Sequence, residues 1–352
     1  MKCVSLFSGC GGLDLGFRDA GFEITLACDN DPRCAISHEA NFPETNFYLG
    51  SVTDFVQELR SGTLIDPAEQ IDLLVGGPPC PSYSKSRFYR TDKPRALEDD
   101  IAWETMAGYL DTLRLLAPRA FVLENVHGFA YKVHREALDH IVGAASELGY
   151  DCTWQVINAA DYGVPQIRER FLLVGTLQGE FKFPEPTHSK RPGGKQPLKP
   201  WRTAGDVLRD LDTDENATDE GHFAGGQYHD LLRAIPPGDN YLYFTEKRGH
   251  PNPQFLWRSR YWSFLLKLSP DMPSWTIQAR RSNNMGPFHW RNRILRIAEI
   301  KRLQTFPDKW VLAGTVEQQW RQIGNAVPPL LADTIARAVW THLARPEQRI
   351  AA

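Results

Sequence analysis

Residues 73–84 read LLVGGPPCPSYS, an apolar run followed by two glycines and by a cysteine between prolines. The part from 71 to 75 is typical of a buried parallel strand, and the glycines end it. The prolines fix the backbone around Cys80, so we expect its thiol to point in one direction. Most lone cysteines are small buried hydrophobes. However, ligands of open α/β sheets bind beyond the carboxyl ends of strands, which is where this pattern places Cys80.

The composition is that of an ordinary globular protein, with 42% hydrophobic and 24% charged residues in a chain of 352. The formal net charge of −3 argues against general binding of polyanions, so any nucleic-acid surface must be local. Six cysteines without a C-x-x-C pair indicate free thiols in a reducing cytosol and disfavour a disulfide framework or a zinc site. Neither a signal peptide nor a membrane-spanning apolar stretch is expected, which favours a cytoplasmic protein.

Strand-like and helix-like segments alternate in the first half of the chain, which predicts a doubly wound, mostly parallel sheet. The predicted strands are 2–7, 23–27, 46–50, 71–75, 120–123, 153–158 and 171–176, and the predicted helices are 13–20, 31–41, 53–60, 101–116, 135–148, 295–306 and 330–343.

A glycine-rich turn, SGCGG at residues 8–12, follows the first strand. Such a turn before a helix brings backbone N–H groups close to a ligand, although a plain tight turn fits these residues equally well. Asp29 follows about 20 residues later, where its carboxylate could bind ribose hydroxyls or cap the next helix. Asn30 and Asp31 compete for that capping role. Together the turn and Asp29 favour a nucleoside-containing cofactor.

Three further groups belong near the same edge of the sheet. Glu124 follows an apolar strand, and this environment can raise its pKa so that it protonates a ring nitrogen, although most glutamates are simply solvated. Arg168 and Arg170 alternate along an extended segment, so both are expected on one face. Residues 85–100 are polar and basic. They fit a loop that closes over a phosphate-bearing substrate, and a solvated surface loop fits equally well.

The composition changes at Leu177, and residues 177–293 are rich in proline, aromatic and charged residues. We expect a second, smaller domain of irregular β structure there. Between Thr245 and Arg293, nine basic residues accompany two acidic ones, a local balance of +7 by subtraction. Aromatic residues are interleaved with them, which is typical of a nucleic-acid surface, although we expect most of these tryptophans to be core residues.

Six motifs occur in the order that is typical of DNA (cytosine-5)-methyltransferases of bacterial type, and the chain resembles that family. The motifs are FSGCGGLDLGF at 7–17, GGPPCPSYS at 76–84, ENV at 124–126, QIRER at 166–170, RLQTFP at 302–307 and GNAVPP at 324–329. The resemblance implies a Rossmann-like S-adenosylmethionine-dependent methyltransferase fold with a smaller, irregular β-rich target-recognition domain. The catalytic domain would comprise residues 1–176 plus 312–345. Residues 177–311 would form the recognition domain and a hinge helix, with double-stranded DNA between the two.

The resemblance also implies roles for individual residues. Cys80 would attack C6 of a flipped-out cytosine, and a protonated Glu124 would support N3. Arg168 would lie near the cytosine O2 and the thiol, whereas Arg170 would orient Glu124 through an ion pair. S-adenosyl-L-methionine would give its methyl group to C5 and leave as S-adenosyl-L-homocysteine. No metal is expected.

Two sets of binding residues follow from the same motifs. The residues expected at the cofactor are Phe7, Ser8, Gly9, Gly11, Gly12, Leu13, Asp29, Asn30, Ser51, Val52, Pro79, Asn325 and Val327. The residues expected at DNA are Ser84, Ser86, Arg258, Arg260, Thr276, Arg280 and Arg281, for which phosphate contact is the more general expectation. The family commonly has an acidic residue at the position of Ser51, so weaker anchoring of the adenine is expected here.

Other functions are compatible with parts of the sequence. A tRNA cytosine-5 methyltransferase shares the fold but has a shorter small domain and a Cys-Phe-Thr signature that this chain lacks. A catalytically silent DNA-binding regulator is disfavoured by intact Cys80, Glu124 and Arg168. A nicotinamide-dependent oxidoreductase is suggested by the glycine turn alone. A monomer is the default expectation, with a separately encoded cognate restriction endonuclease as a possible partner.

Overall fold

The computed structural model describes residues 1–66, 68–79, 100–193, 197–213, 224, 226–258 and 261–345. Four residues with predicted roles, Cys80, Ser84, Ser86 and Arg260, lie outside these ranges. So does most of the predicted loop at 85–100.

A seven-stranded sheet organises the described residues. Its strands are β1 (Lys2–Leu6), β2 (Glu23–Asp29), β3 (Asn46–Leu49), β4 (Leu73–Gly76), β5 (Ala120–Val126), β6 (Asp151–Asn158) and β8 (Glu169–Thr176). Their order is β3-β2-β1-β4-β5-β8-β6, and β8 is antiparallel to both of its neighbours while β1 to β5 are parallel. The predicted mostly parallel, doubly wound sheet is confirmed.

Ten α-helices lie within the described ranges, and several of them cover the two faces of this sheet. They are α1 (Gly12–Asp19), α2 (Pro32–Asn41), α3 (Val52–Ser61), α4 (Asp100–Leu116), α5 (Arg135–Glu147), α6 (Gly205–Leu208), α7 (His229–Ala234), α8 (Ile297–Leu303), α9 (Val316–Asn325) and α10 (Pro329–Leu343). All seven predicted helices are present, and α6, α7 and α9 were not predicted. A local signal for α9 exists, because Thr315 and Gln318 form a capping box at its start.

Alternating residues of the strands belong to two hydrophobic clusters, one on each face of the sheet. In β4, Leu73 and Val75 belong to one cluster and Leu74 to the other, as the pleat of a strand requires. The cluster of Leu73 also contains residues of α1 and α10, and it continues into buried residues of the 177–295 region such as Phe181 and Ile277.

The last helix, α10, packs against the first helix, α1. The two helices approach closely at Gly16, where a Cβ atom would lie only 2.4 Å from the Cβ of Ala332. The same packing brings the GNAVPP motif to the glycine turn, since a Cβ on Gly12 would lie 2.5 Å from the carbonyl oxygen of Val327. Two motifs more than 300 residues apart are therefore neighbours.

Residues 177–295, called the small region below, are irregular as expected. The strands described there are two-residue pieces: β9 (His188–Ser189), β10 (Lys199–Pro200) and β11 (Ser274–Trp275). β11 pairs with β7 (Gln166–Ile167). The expectation that most tryptophans at 245–293 are core residues is wrong. Trp257 and Trp262 are exposed and the other two are partly exposed, because Tyr241, Phe244 and Phe288 fill this core instead.

No helix within the described ranges is both long and apolar enough to cross a membrane.

Candidate active site

The carboxyl ends of β1, β2, β4 and β5 lie side by side, because Leu6 pairs with both Cys28 and Gly76, and Gly76 pairs with Leu123. The glycine turn follows β1, Asp29 ends β2, Gly76 ends β4, and Glu124 lies near the end of β5. The sheet thus brings these four described parts of the predicted site to one edge.

Asp29 holds the glycine turn to the second strand. Its Oδ2 accepts a hydrogen bond from the backbone N–H of Gly9, and its Oδ1 accepts one from Asp31, both at 2.9 Å. Burial raises the pKa of Asp29, and these backbone N–H groups oppose that rise. Asp31, whose carboxylate accepts from the N–H of Arg33, is the N-cap of α2. The capping alternative for Asp29 is therefore excluded.

The turn leaves space beside this carboxylate. Gly9 and Gly11 have φ of +55° and +83°, a left-handed conformation that favours glycine, and Phe7 has a φ of +56°. A Cβ atom on Gly9 would meet nothing within 4 Å. On Gly11 it would lie 2.6 Å from Phe42. The turn is thus packed on one side and open on the other.

A buried polar network that was not predicted supports the turn from below. The carboxylate of Asp14 accepts hydrogen bonds from the Ser5 hydroxyl at 2.5 Å and from Nε2 of His38 at 2.7 Å. The Ser8 hydroxyl donates to Ser5 Oγ at 3.0 Å. Ser5, Asp14 and His38 are fully buried. His38 is 24 residues from Asp14, so no short sequence pattern could have revealed the pair.

Ser51 has a structural role in addition to the expected one, which stays a prediction. It is the N-cap of α3: its hydroxyl accepts from the backbone N–H of Asp54 at 3.1 Å and donates to Asp54 Oδ2 at 2.7 Å. The hydroxyl hydrogen of Ser51 is therefore already donated to Asp54. The oxygen can still accept a hydrogen bond from an adenine amino group through a remaining lone pair.

The remaining predicted cofactor residues differ in exposure. Asn30, Pro79 and Asn325 are exposed, Phe7 is partly exposed, and Ser8, Gly11, Gly12, Leu13, Val52 and Val327 are buried. Gly12 and Val327 are in contact as described above.

Glu124 and Arg170 form an ion pair at the end of β5. Arg170 Nε lies 2.8 Å from Glu124 Oε1, and the two side chains are only 10% and 11% exposed. A methyl group on Gly77 would lie 3.0 Å from Glu124 Oε2, so the carboxylate stands beside the backbone three residues before Cys80. Burial raises the pKa of Glu124, while the positive charges of Arg170 and Arg168 lower it. The net rise favours a protonated carboxyl group.

Arg168 is 1% exposed and bonds to backbone carbonyls of two distant segments. Its Nη1 donates to Ile277 at 3.1 Å, and its Nη2 donates to Gly324 and Ala326, both at 2.8 Å. Its Nε is buried without a hydrogen-bond partner among the described residues. Its predicted place near the thiol stays a prediction, because Cys80 lies outside the described ranges.

Two buried glutamines join the same segments. Gln166 Nε2 donates to Gln304 Oε1 at 3.0 Å, and Gln166 Oε1 accepts from the N–H of Ile277 at 3.0 Å. Gln304 Nε2 donates to the carbonyl of Ile323 at 2.7 Å. Both residues belong to quoted motifs, QIRER and RLQTFP, but no local pattern indicates that they are in contact.

The predicted DNA contacts fall into two groups. The hydroxyl of Thr276 donates to the carbonyl of Ile167 at 2.8 Å, and Arg281 lies 3.2 Å from the carboxylate of Glu317. These side chains are engaged within the protein. Arg258 and Arg280 are exposed and have no ion-pair partner in the part of the chain that the structure describes.

Comparison with known proteins identifies the family of the chain. The sequence profile of the family described as "C-5 cytosine-specific DNA methylase" matches residues 1–341. The chain belongs to this family. Type II methyltransferase M.SacI of Streptomyces achromogenes is 36% identical over 377 positions, which cover 99% of this chain and 95% of the relative. Type II methyltransferase M.NgoPII of Neisseria gonorrhoeae is 32% identical, with coverage of 98% and 97%.

Solved structures agree on the fold. A prophage-encoded E. coli protein, described as a "putative DNA modification methyltransferase", superimposes with a TM-score of 0.70 at 21% identity, covering 98% of this chain and all of the other. Spodoptera frugiperda DNMT2 gives a TM-score of 0.65 at 16% identity, with coverage of 96% and 99%. Family and relatives together make this DNA methylase a cytosine-5 methyltransferase, as the sequence motifs predict.

Proposed function

We propose that this DNA cytosine-5 methyltransferase works through a transient bond between Cys80 and C6 of a flipped-out cytosine. C5 of cytosine is a poor nucleophile. Addition of the Cys80 thiolate to C6 moves an electron pair of the C5–C6 double bond towards C5, which then accepts a methyl group. A base removes the C5 proton, the double bond reforms, and the thiolate leaves.

The observation that carries this proposal is the buried Glu124–Arg170 pair next to Gly77. As negative charge moves into the pyrimidine ring, a protonated Glu124 donates to N3 and so stabilises the adduct. Arg170 holds the carboxyl group in place, and Arg168 supplies further positive potential. The raised pKa favours the protonated form of Glu124, which is the form that can donate.

The residues around the glycine turn fit S-adenosyl-L-methionine. The open side of Gly9 lies next to the Asp29 carboxylate, a placement suited to the ribose hydroxyls, and Leu13, Asn325 and Val327 come from neighbouring segments. When bound, the cofactor supplies an electrophilic methyl group. The turn and Asp29 orient it, and the product is S-adenosyl-L-homocysteine. The mechanism requires no metal.

The substrate is double-stranded DNA, in which a stacked cytosine cannot reach a buried carboxyl group, so the base must be flipped out. Residues 85–100, with Ser84 and Ser86, are proposed to close over the flipped nucleotide. Phosphate contacts are proposed for Arg258, Arg260 and Arg280, with Thr276 and Arg281 in supporting positions.

Several wider features belong to the same proposal. The division into a catalytic domain (1–176 plus 312–345) and a recognition domain (177–311) follows the course of the chain around the sheet. The names of the type II relatives suggest a restriction–modification system with a separate endonuclease. We further propose a monomer in the bacterial cytoplasm, associated with the nucleoid through DNA.

Two experiments test the proposal. Bisulfite sequencing of plasmid from expressing cells identifies the methylated site, and tritium transfer from labelled S-adenosyl-L-methionine is compared between plasmid DNA and tRNA. We expect transfer to DNA alone and none with Cys80→Ala. An oligonucleotide with 5-fluorocytosine at the target should then become attached to the protein through Cys80, since the C5 fluorine blocks release. Transfer that survives Cys80→Ala would refute the covalent mechanism.

A further inference from the structure

Four large apolar side chains are exposed within seven residues of the small region, and the backbone N–H of Tyr261 donates to the carbonyl of Arg258, which brings the two halves of this segment together. Leu256, Trp257, Tyr261 and Trp262 are 78%, 46%, 40% and 44% exposed. These four residues are called the aromatic patch. Single exposed apolar side chains are common, whereas a cluster of them marks a binding surface. None of the four takes part in the site described above.

The backbone that carries the patch is supported by buried residues. Phe255, which precedes the patch, packs edge to face on Tyr241 with ring centroids 5.9 Å apart. The hydroxyl of Tyr241 accepts a hydrogen bond from the backbone N–H that follows Trp257, at 2.9 Å. The buried Asn240 donates to the carbonyl of Trp262 at 2.8 Å. A pre-organised surface of this kind loses little entropy when it binds.

Positive charge accompanies the patch. Lys247 Nζ lies 4.0 Å from the centre of the Trp257 ring, a cation–π contact. The exposed Arg258 follows directly and has no ion-pair partner within the described ranges. Aromatic faces combined with cations fit a polyanion whose bases are accessible. The chemistry of the patch therefore matches DNA.

Trp262 links the patch to the active site. Its ring lies edge to face against Trp275, with centroids 5.5 Å apart. Trp275 is in β11, which pairs with β7, and Arg168 follows β7 directly. The Trp275 ring thus connects the patch to β11, which pairs with the strand that precedes Arg168.

We propose that the aromatic patch is a wedge, in which Leu256 and Trp257 enter the DNA and contact the bases that lose a stacking partner when the cytosine is flipped out. Apolar side chains inserted between base steps stabilise distortions of this kind. The inference rests on the proposed function, because it requires a flipped cytosine. It assigns DNA contacts to apolar residues, where sequence analysis predicted arginines.

The test uses the full-length enzyme and a duplex oligonucleotide with the site identified by bisulfite sequencing. Leu256→Ala and Trp257→Ala are compared with Leu115→Ala, an exposed leucine at the end of α4 that precedes β5. We expect each patch variant to raise the Kd for the intact duplex at least about tenfold, and Leu115→Ala to leave it unchanged.

A second duplex separates a wedge from an ordinary groove contact. In it the target cytosine faces an abasic site, so less stacking and pairing must be broken to flip the base. The increase in Kd caused by Trp257→Ala should then fall below about threefold. Trp257→Phe keeps an aromatic ring and should bind the intact duplex within about threefold of wild type, which tests the wedge even where the alanine variant fails to fold.

Three results would overturn the inference. The first is an unchanged Kd in both patch variants, and the second is an equal loss of affinity for both duplexes. The third is a DNA-free dimer that Trp257→Ala dissociates in sedimentation, since a second copy of the chain would then occupy the patch. Trapping of wild type on 5-fluorocytosine separates this failure from that of the proposed function. Where wild type is trapped through Cys80 and the patch variants bind normally, the wedge fails and the covalent mechanism stands.

Discussion

Replacement of Asp14 by alanine should destabilise the fold and also weaken cofactor binding. The Asp14 carboxylate accepts from Ser5 at 2.5 Å and from His38 at 2.7 Å, and all three side chains are fully buried. The substitution leaves the buried Ser5 hydroxyl and His38 Nε2 without their acceptor. The Ser8 side chain at the start of the glycine turn rests on Ser5, so the disturbance passes directly to the cofactor turn.

The size of the effect follows from this geometry. Each buried polar group that loses its partner costs about 1–3 kcal/mol, and breaking a buried pair by removing one member costs about 3–5 kcal/mol. We therefore expect Asp14→Ala to lower the free energy of unfolding by about 3–5 kcal/mol. Asp14→Asn should lose less, about 1–3 kcal/mol, because the amide can still accept from Ser5 and donate to the other tautomer of His38.

Urea unfolding at fixed pH measures the stability, and titration calorimetry of the folded protein measures the Kd for S-adenosyl-L-methionine. Leu138→Ala is the matched control, because Leu138 is buried on the opposite face of the sheet and its loss costs about 2–5 kcal/mol without touching the turn. We expect a Kd about tenfold higher for Asp14→Asn and unchanged for Leu138→Ala. If Asp14→Asn lowered stability but bound the cofactor as wild type does, the network would be structural only and the reasoning would be refuted.

Three other predictions concern packing and protonation. Gly16→Ala should lower the free energy of unfolding in urea by about 1–3 kcal/mol, because its Cβ would lie 2.4 Å from that of Ala332; an unchanged value would contradict the close approach of α1 and α10. Burial lowers the pKa of Lys267 to about 8 from 10.5, so the unfolded chain holds this proton to higher pH than the folded protein does. The free energy of unfolding of wild type, measured in urea, should therefore rise by up to about 3 kcal/mol relative to that of Lys267→Met between pH 8 and 10.5. A relative fall in stability over this range would show that the lowered pKa of Lys267 is not the cause. Arg170→Gln removes a positive charge that lowers the pKa of Glu124, so the pH above which kcat declines should rise. If that pH were unchanged, protonation of Glu124 would not control the decline.

The sequence was informative where a signal is local. The strands, the glycine turn and Asp29 are separated by short intervals, and the alternation of strands and helices places them on one edge. Glu124 and its partner Arg170 were found through their motifs, and the structure shows the ion pair. Packing of distant segments gives no such signal. The Asp14–His38 contact and the exposure of Trp257 both depend on which other side chains fill the interior.

The position of Arg168 suggests how closure of the site and recognition of the base can depend on one side chain. Its Nη atoms donate to carbonyls at Ile277 in the small region and at Gly324 and Ala326 in the GNAVPP motif, so all three hydrogen bonds form only when both segments are in place. Its Nε is a buried donor without a partner among the described residues. A buried donor of this kind is costly unless an acceptor arrives. We propose that the O2 of a flipped cytosine supplies that acceptor, in which case the arrangement that joins the segments also favours the flipped base.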